Sequence, residues 1–564
     1  MRRWRVAAVV VLAGCSDATH RFADAAGVDG AAAEDAARPR DATAPGDAAR
    51  DGAADASAVA DGGVVDAFRP DAAAHPSRCI DGLGDGCPAT RVAPRTPRPG
   101  TRIGTMAQIL TLTNDDDESA TVEVCGEPDC AMPARSFVAT STTVAIEPPL
   151  PAGRWFWRAH TPGATTPWWP FTVADGPTRR GIPQVDLDGD GYADVVVGAP
   201  EMAAAYVFHG GCGGPSAPYD ERLSGSGYYF GFRLDAAGDV DGDGVLDLLA
   251  GGRGATRVFA GQPCGMTELL AAIEGPTPDQ SAELAGIGDV DGDGYDDFVT
   301  ATSPISGGDV EYVCDVRVYY GGASAVGARS LTLSVEDSDP WCYDPWAVAA
   351  ADADLTMDGL PDIVVARPDL GVVEVYEGST AATGLPFRLI EGEPGAELGL
   401  ATNAGDLDCD GAFDLAISQL DPRRVRIVRA AGDPWAIDLP ETVLRRHNGL
   451  AALGDVDGDG CDDLAITTRE AVVVAFGGHD GPTLVAVAPP EERYLLYFTV
   501  GGPGDVDGDG YPDLAVGSVD LEAGLVTLYA GGSREPREMA RLSIEPFHSV
   551  HDSGPMFGLS IAGR

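Results

Sequence analysis

The sequence predicts an all-β protein: a seven-bladed β-propeller preceded by a small β-sandwich. Three observations carry that expectation. The motif Asp-x-Asp-Gly-Asp-Gly-x-x-Asp, or a close relative, begins at Asp186, Asp239, Asp289, Asp354, Asp406, Asp455 and Asp505. Its period is about 50 residues, stretched to 65 only between the third and fourth copies. Short β-branched or aromatic runs ended by glycine recur after the motif, as in Tyr206-Val207-Phe208-His209-Gly210 and Leu528-Tyr529-Ala530-Gly531. Such runs read as a strand followed by a turn. Ahead of the repeats, residues 88–176 hold alternating segments such as Thr121-Val122-Glu123-Val124-Cys125. A repeat of blade length is one supersecondary unit stacked on the next. A β-solenoid would need a period of about nine residues, which is absent.

At the N-terminus, Arg2, Arg3 and Arg5 precede an apolar run from Val6 to Leu12 and then Leu12-Ala13-Gly14-Cys15. A basic lead and a short apolar stretch describe a signal peptide over residues 1–14, too short to span a bilayer. Leu-Ala-Gly-Cys resembles the lipobox of bacterial lipoproteins. The resemblance implies a diacylglyceryl thioether on Cys15, and hence a chain anchored by lipid to the outer membrane or cell surface. Residues 15–78 read as a disordered tether. From residue 21 this stretch contains 21 Ala and 10 Asp broken by Gly and Pro, too little apolar bulk to offset the entropy of ordering. Residues 79–176 form a cysteine-containing lead-in and a small β-sandwich of immunoglobulin or fibronectin-III type. Its Trp155, Trp157, Trp168 and Trp169 are expected in the core; the sharper alternative is an aromatic platform for carbohydrate.

Residues 177–564 are the propeller, and its loops carry the chemistry. In the last copy Asp505, Asp507, Asp509 and Asp513 supply carboxylates at positions 1, 3, 5 and 9, and Tyr511 at position 7 offers its backbone carbonyl. The equivalent sets are Asp186, Asp188, Asp190, Tyr192 and Asp194; Asp239, Asp241, Asp243, Val245 and Asp247; and Asp289, Asp291, Asp293, Tyr295 and Asp297. Later in the chain come Asp406, Asp408, Asp410, Ala412 and Asp414, then Asp455, Asp457, Asp459, Cys461 and Asp463. The fourth loop is worn: Asp354, Asp358 and Asp362 survive, but Thr356 and Met357 replace an Asp and a Gly. Hard oxygen donors around a flexible loop suit Ca2+ better than zinc or magnesium. Six good sites and one degenerate one are expected. An EF-hand would place a Glu at position 12, where this chain has Val197, Ala250, Thr300, Val365, Ile417, Ile466 and Val516. Strand-like residues follow each loop, so the position-9 Asp is expected to close the site.

Phe230-Gly231 before the second loop and Gly198-Ala199-Pro200 after the first make the repeat resemble the FG-GAP repeat of integrin alpha-subunit heads and their bacterial relatives. The resemblance covers roughly residues 181–564. Leu398-Gly399 and Ala366-Arg367-Pro368 depart from its flanking words. It implies a closed seven-bladed disc with calcium in the loop between the first two strands of each blade. Phe557-Gly558-Leu559-Ser560-Ile561-Ala562-Gly563 repeats the strand that precedes an Asp loop, while the first loop has no such strand before it. The C-terminal strand is therefore expected to complete the first blade and remove an open edge.

Eleven cysteines leave an even ten beside Cys15, as suits an oxidising compartment. Cys409 and Cys461 lie in adjacent Asp loops, and Cys212 and Cys264 in similar turns of neighbouring blades. Cys79–Cys87, Cys125–Cys130 and Cys314–Cys342 then remain as local pairs. The formal charge of −50 excludes nucleic acid and anionic membrane surfaces as partners. No serine-hydrolase elbow, zinc-protease helix or phosphate-cradling loop occurs, and His548-x-x-His551-Asp552 reads as a surface loop. The long connection before the fourth loop carries Trp341, Tyr343 and Trp346. In the fold it resembles, that connection lies on the face where integrins bind ligand, which makes it a candidate ligand loop. A monomeric, lipid-anchored, calcium-binding module for an unidentified protein or glycan is the leading expectation. A secreted polysaccharide-active lyase or hydrolase is the alternative.

Overall fold

The computed structural model describes residues 92–563 with gaps, the longest at 175–184, 304–315, 334–346, 439–448, 488–496 and 545–555. The signal peptide, Cys15, the tether, Asp190, Trp168, Trp341, Tyr343, Trp346 and the His548–Asp552 cluster lie outside the described residues, as does one member or both of every expected cysteine pair except Cys409 and Cys461.

Residues 92–174 form two sheets that share one core. The smaller joins Val92–Thr96, Ile109–Asn114 and Thr143–Ala145; the larger runs Arg102–Gly104, Trp169–Ala174, Gly153–Thr161, Ala120–Cys125 and Arg135–Ala139. Alternation decides which side chains go inside. Val122 and Val124 are buried while the alternating Thr121 and Glu123 are not, as a half-buried strand requires. They meet Leu110, Leu112 and Val144 of the smaller sheet together with Trp157, Phe171 and Val173. Trp157 is wholly buried, as expected for a core residue, and the half-buried Trp155 packs against the same core.

The repeat region is a β-propeller. Among the described residues it holds seven successive antiparallel sheets: a three-stranded first sheet of Val195–Ala199, Ala204–Phe208 and Glu221–Ser224, then four-stranded sheets spanning 233–274, 281–332, 347–391, 398–438, 450–487 and 497–542. Burial falls outward across a sheet. The second strands Val195–Ala199, Asp247–Gly251 and Asp362–Arg367 are buried at every residue, whereas the outer strand Glu221–Ser224 alternates buried and exposed. A strand covered on both faces needs a continuous apolar run, and one at the rim needs only alternation. In the second to seventh sheets the Asp loop joins the first and second strands. In the second sheet a bulge before the loop turns the chain out of the ladder. Gly238 sits there at φ +83°, a backbone state that side chains disfavour.

Among the described residues the first sheet has no inner strand of its own, and residues from Phe557 to Gly563 take that place. Val197 bridges Ile561, the Gly198 N–H donates to the Ser560 carbonyl, and the Gly558 and Ala562 N–H groups donate to Gly198 and Val196. The same segment reaches the seventh sheet, where the Gly502 N–H donates to the Gly563 carbonyl. Phe557 is fully buried, edge-on to Tyr206 and Phe208. The closure is thus a short bridge backed by an aromatic anchor, narrower than the full ladders within the other sheets.

Candidate metal centres

The second loop shows how the sequence shapes the site. The Asp239 carboxylate accepts the Gly244 N–H at 3.1 Å, Asp241 accepts that of Asp243 at 3.1 Å, and Asp243 accepts that of Val245 at 2.8 Å. Each carboxylate thus satisfies a turn amide that has no ladder partner, which is why Asp suits these positions. Asp247, fully buried, is held from both sides: Oδ2 accepts the Val240 N–H at 2.8 Å and Oδ1 the Gly261 N–H at 2.9 Å. The second of these bonds comes from the turn after the third strand, so the position-9 Asp ties the loop into its sheet. Asp194, Asp297, Asp362, Asp463 and Asp513 accept the equivalent pair of bonds.

These bonds bring positions 1, 3 and 9 together. Single oxygens of Asp239, Asp241 and Asp247 lie within 4.8 Å of one another, as do those of Asp289, Asp291 and Asp297, and of Asp455, Asp457 and Asp463. In the fifth loop the grouped carboxylates are Asp406, Asp408 and Asp410. At position 5, Asp243, Asp293, Asp358, Asp410, Asp459 and Asp509 each spend one oxygen on the position-7 N–H. That bond orders the peptides of Val245, Tyr295, Ala412, Cys461 and Tyr511. The fourth loop keeps the same backbone plan with fewer acids. Asp354 accepts the Asp358 and Gly359 N–H groups, and the Thr356 hydroxyl lies 3.5 Å from both Asp354 and Asp362.

Crowding of like charges in a buried place has the expected consequence. Burial, reinforced by the neighbouring carboxylates, pushes Asp247, Asp297 and Asp414 up to about 8 and Asp362 up to about 6. Asp463 and Asp513 are raised well above the ordinary range for the same reasons. Oδ1 of Asp291 is buried without a hydrogen-bond partner among the described residues. Acidic oxygens gathered this way can hold a metal ion.

Basic side chains near the loops escaped the reading of the sequence. His209 Nδ1 lies 3.2 Å from Asp194 and 3.6 Å from Asp188, and its Nε2 lies 3.2 Å from Glu221. Burial opposes its charge, but Asp194, Glu221 and Asp188 outweigh burial and push it up to about 11. Arg329 pairs with Asp291, Arg429 with Asp408, and Arg534 with Asp457 and Asp459. His209 and Arg429 share one place in the repeat, just after the third strand, whereas Arg329 directly precedes the fourth strand of its sheet and Arg534 lies in the turn between the third and fourth strands of the seventh.

Neighbouring loops also interlock. The position-7 side chain of one loop packs on position 4 of the loop before it, as Tyr295 does on Gly242 and Tyr511 on Gly458. Between the fifth and sixth loops the same two positions are Cys409 and Cys461, joined by a disulfide. The position-1 carbonyl accepts the position-8 N–H of the following loop in Asp239–Asp296, Asp406–Asp462 and, across the closure, Asp505–Ala193.

Comparison with known proteins agrees with this architecture. Residues 182–205 match the FG-GAP repeat and residues 239–300 the FG-GAP-like repeat. The chain is 32% identical to human integrin alpha-X over 179 residues, covering 29% of this chain and 14% of that one. It is 34% identical to human integrin alpha-10 over 98 residues, covering 16% and 8%. It is also 26% identical to phosphatidylinositol-glycan-specific phospholipase D of Rattus norvegicus over 191 residues, covering 32% and 17%. The chain therefore spans under a fifth of the length of these relatives. A solved protein from Lactobacillus plantarum aligns at 13% identity and TM-score 0.41, over 66% of this chain and 98% of that one. A rhamnogalacturonan lyase of Bacillus licheniformis aligns at 11% and 0.29, over 79% and 90%. Structural likenesses this distant say nothing about function. Fold and matches together define the class: a β-propeller protein built on FG-GAP, integrin-alpha-like repeats. No helix among the described residues is long and apolar enough to cross a membrane.

Proposed function

We propose that the Asp loops hold calcium and that the protein is a lipid-anchored surface propeller serving as a binding or adhesion module. The observation that carries the calcium reading is the convergence of buried or half-buried position-1, position-3 and position-9 carboxylates in the second, third and sixth loops. An all-oxygen donor set fits a hard divalent ion. Calcium bound there would supply the positive charge that lets these carboxylates ionise side by side. The position-9 Asp fixes the loop to its sheet while offering oxygens to the ion, and the position-5 Asp orders the last turn before it. The integrin alpha relatives favour binding over chemistry. The partner class is a protein or glycan, with Trp341, Tyr343 and Trp346 as the candidate ligand loop.

Two experiments test the parts separately. Cys15→Ser should move the protein from the membrane to the soluble fraction and abolish labelling by a clickable fatty acid; continued labelling refutes the anchor. Glycan and protein arrays probed with the calcium-loaded mature chain should give hits that Trp341→Ala or Trp346→Ala removes. Hits that survive both changes place recognition elsewhere, and glycan cleavage by the pure protein would establish the enzymatic alternative.

A further inference from the structure

One position of the repeat, the residue at the end of the third strand that precedes a turn glycine in six of the seven sheets and Ala430 in the fifth, is treated differently in different sheets. Strand register puts it opposite the position-9 carboxylate in each sheet: pairing of Val195 with Phe208 places His209 opposite Asp194, and pairing of Leu415 with Val428 places Arg429 opposite Asp414. In the third and sixth sheets the residue is aromatic, Tyr320 opposite Asp297 and Phe476 opposite Asp463. Each of these rings carries an arginine. The Arg329 guanidinium lies 3.9 Å from the Tyr320 ring centre, and that of Arg534 lies 5.9 Å from the Phe476 ring centre, within cation–π range. One place in the fold thus delivers a cation by two routes, directly from His209 and Arg429, or over an aromatic face. In the fourth sheet, whose loop has lost an acid to Thr356, the residue is itself acidic, Glu377 opposite Asp362.

The guanidinium groups reach the oxygens that an ion needs. Arg329 contacts Asp291 and Arg429 contacts Asp408, both at position 3. Arg534 Nε lies 2.5 Å from Asp457 at position 3, and Nη2 lies 2.6 Å from Asp459 at position 5. We infer that Arg329, Arg429 and Arg534 are built-in counter-cations of the third, fifth and sixth loops, and that calcium enters those loops by displacing a guanidinium. The inference rests on the calcium reading and adds a residue-level control of affinity to it. The arginines hold the acidic loops together when the ion is absent, and they weaken its binding by competing for the same oxygens. Arg534 belongs to the seventh sheet and its acidic partners to the sixth, so calcium in the sixth loop would also release a tie between the two.

The test uses the full mature chain, stripped of metal and titrated with calcium against a chromophoric chelator, with melting recorded in excess chelator. Arg329→Gln, Arg429→Gln and Arg534→Gln should each bind one calcium roughly tenfold more tightly, the scale of a lost charged hydrogen bond, and should melt lower in chelator. Ala530→Arg, which installs a cation at the same place in the seventh sheet opposite Asp513, should weaken one site. Wild-type isotherms in all three Gln variants would overturn the assignment while leaving calcium binding intact. No calcium uptake by wild type or any variant would overturn the calcium reading itself.

Discussion

The seam between the fifth and sixth sheets and the seam between the seventh and first follow one plan in different materials. In both, position 7 of the later loop meets position 4 of the earlier one. At the first seam the pair is Cys461 and Cys409, and a covalent bond closes a separation of 52 residues. At the second the pair is Tyr192 over Gly508, where a Cβ on the glycine would lie 2.3 Å from the ring and φ is +74°. The hydrogen bonds are shared: Asp406 O accepts from Asp462 N, and Asp505 O from Ala193 N. The junction of the seventh and first sheets is therefore built like an interior joint at the loop face. It differs at the inner strand, where a bridge around Ile561 replaces a ladder. A ring tolerates a thin strand where its loops still interlock.

Removing residues 557–564 should break the comparison outright, since it deletes the bridge and the Phe557 anchor and leaves strand edges open. Loss of a cooperative calorimetric transition is expected; wild-type melting would show that the loops alone close the ring. Cys409→Ser should cost about 2–4 kcal/mol by chemical denaturation, the usual range for a bridge over a loop of this size. A smaller cost is expected for Gly508→Ala, about 1–3 kcal/mol from the strained backbone and the clash with Tyr192. If Gly508→Ala proved the more damaging, the aromatic latch would be the stronger joint.

Protonation should separate the metal-free from the loaded ring. Asp247, Asp297 and Asp414 titrate near 8 in the folded chain, against about 3.9 when unfolded. Between those values the folded state holds protons that the unfolded chain has released, so stability falls as pH rises through about 4 to 8. In chelator the protein should melt higher at pH 5 than at pH 8. Calcium competes with those protons and should bind more tightly at pH 8. A metal-free protein more stable at pH 8 contradicts the crowding of these acids. Least of all should Asp354→Ala matter, because its loop has already lost an acid at Thr356. Asp505→Ala should lower the melting temperature further, and equal losses would erase the ranking of the loops.

The parts legible in the sequence were those written locally. The Asp loops, the glycine-ended third strands and the unfinished Phe557–Gly563 segment lie in short words, so loop, strand order and closure could be read directly. The pairing of Cys409 with Cys461 was legible because the repeat places the two in adjacent Asp loops. The other contacts between residues about 50 apart were not. Tyr295 on Gly242 and the Asp296 carboxylate on the Asp239 N–H join positions 7 and 8 of one loop to the loop before it, and no local pattern marks them. Arg329, Arg429 and Arg534 were missed because arginine is the only strongly basic residue in the chain and occurs throughout it. Strand register singles out Arg429, and only contacts made in the fold single out Arg329 and Arg534.

Calorimetry of the metal-stripped mature chain tests the central claim most directly. Elemental analysis should confirm removal of metal, and calcium or magnesium is then restored. Ligands that bind only the native state stabilise it by about 2.7 kcal/mol per site at a hundredfold excess over Kd; loops of this kind in extracellular modules bind with Kd on the order of 10⁻⁴ to 10⁻³ M. The account predicts a clear drop in melting temperature on stripping, recovered by millimolar calcium and not by magnesium. A stripped protein that melts where the calcium-treated one does would contradict it.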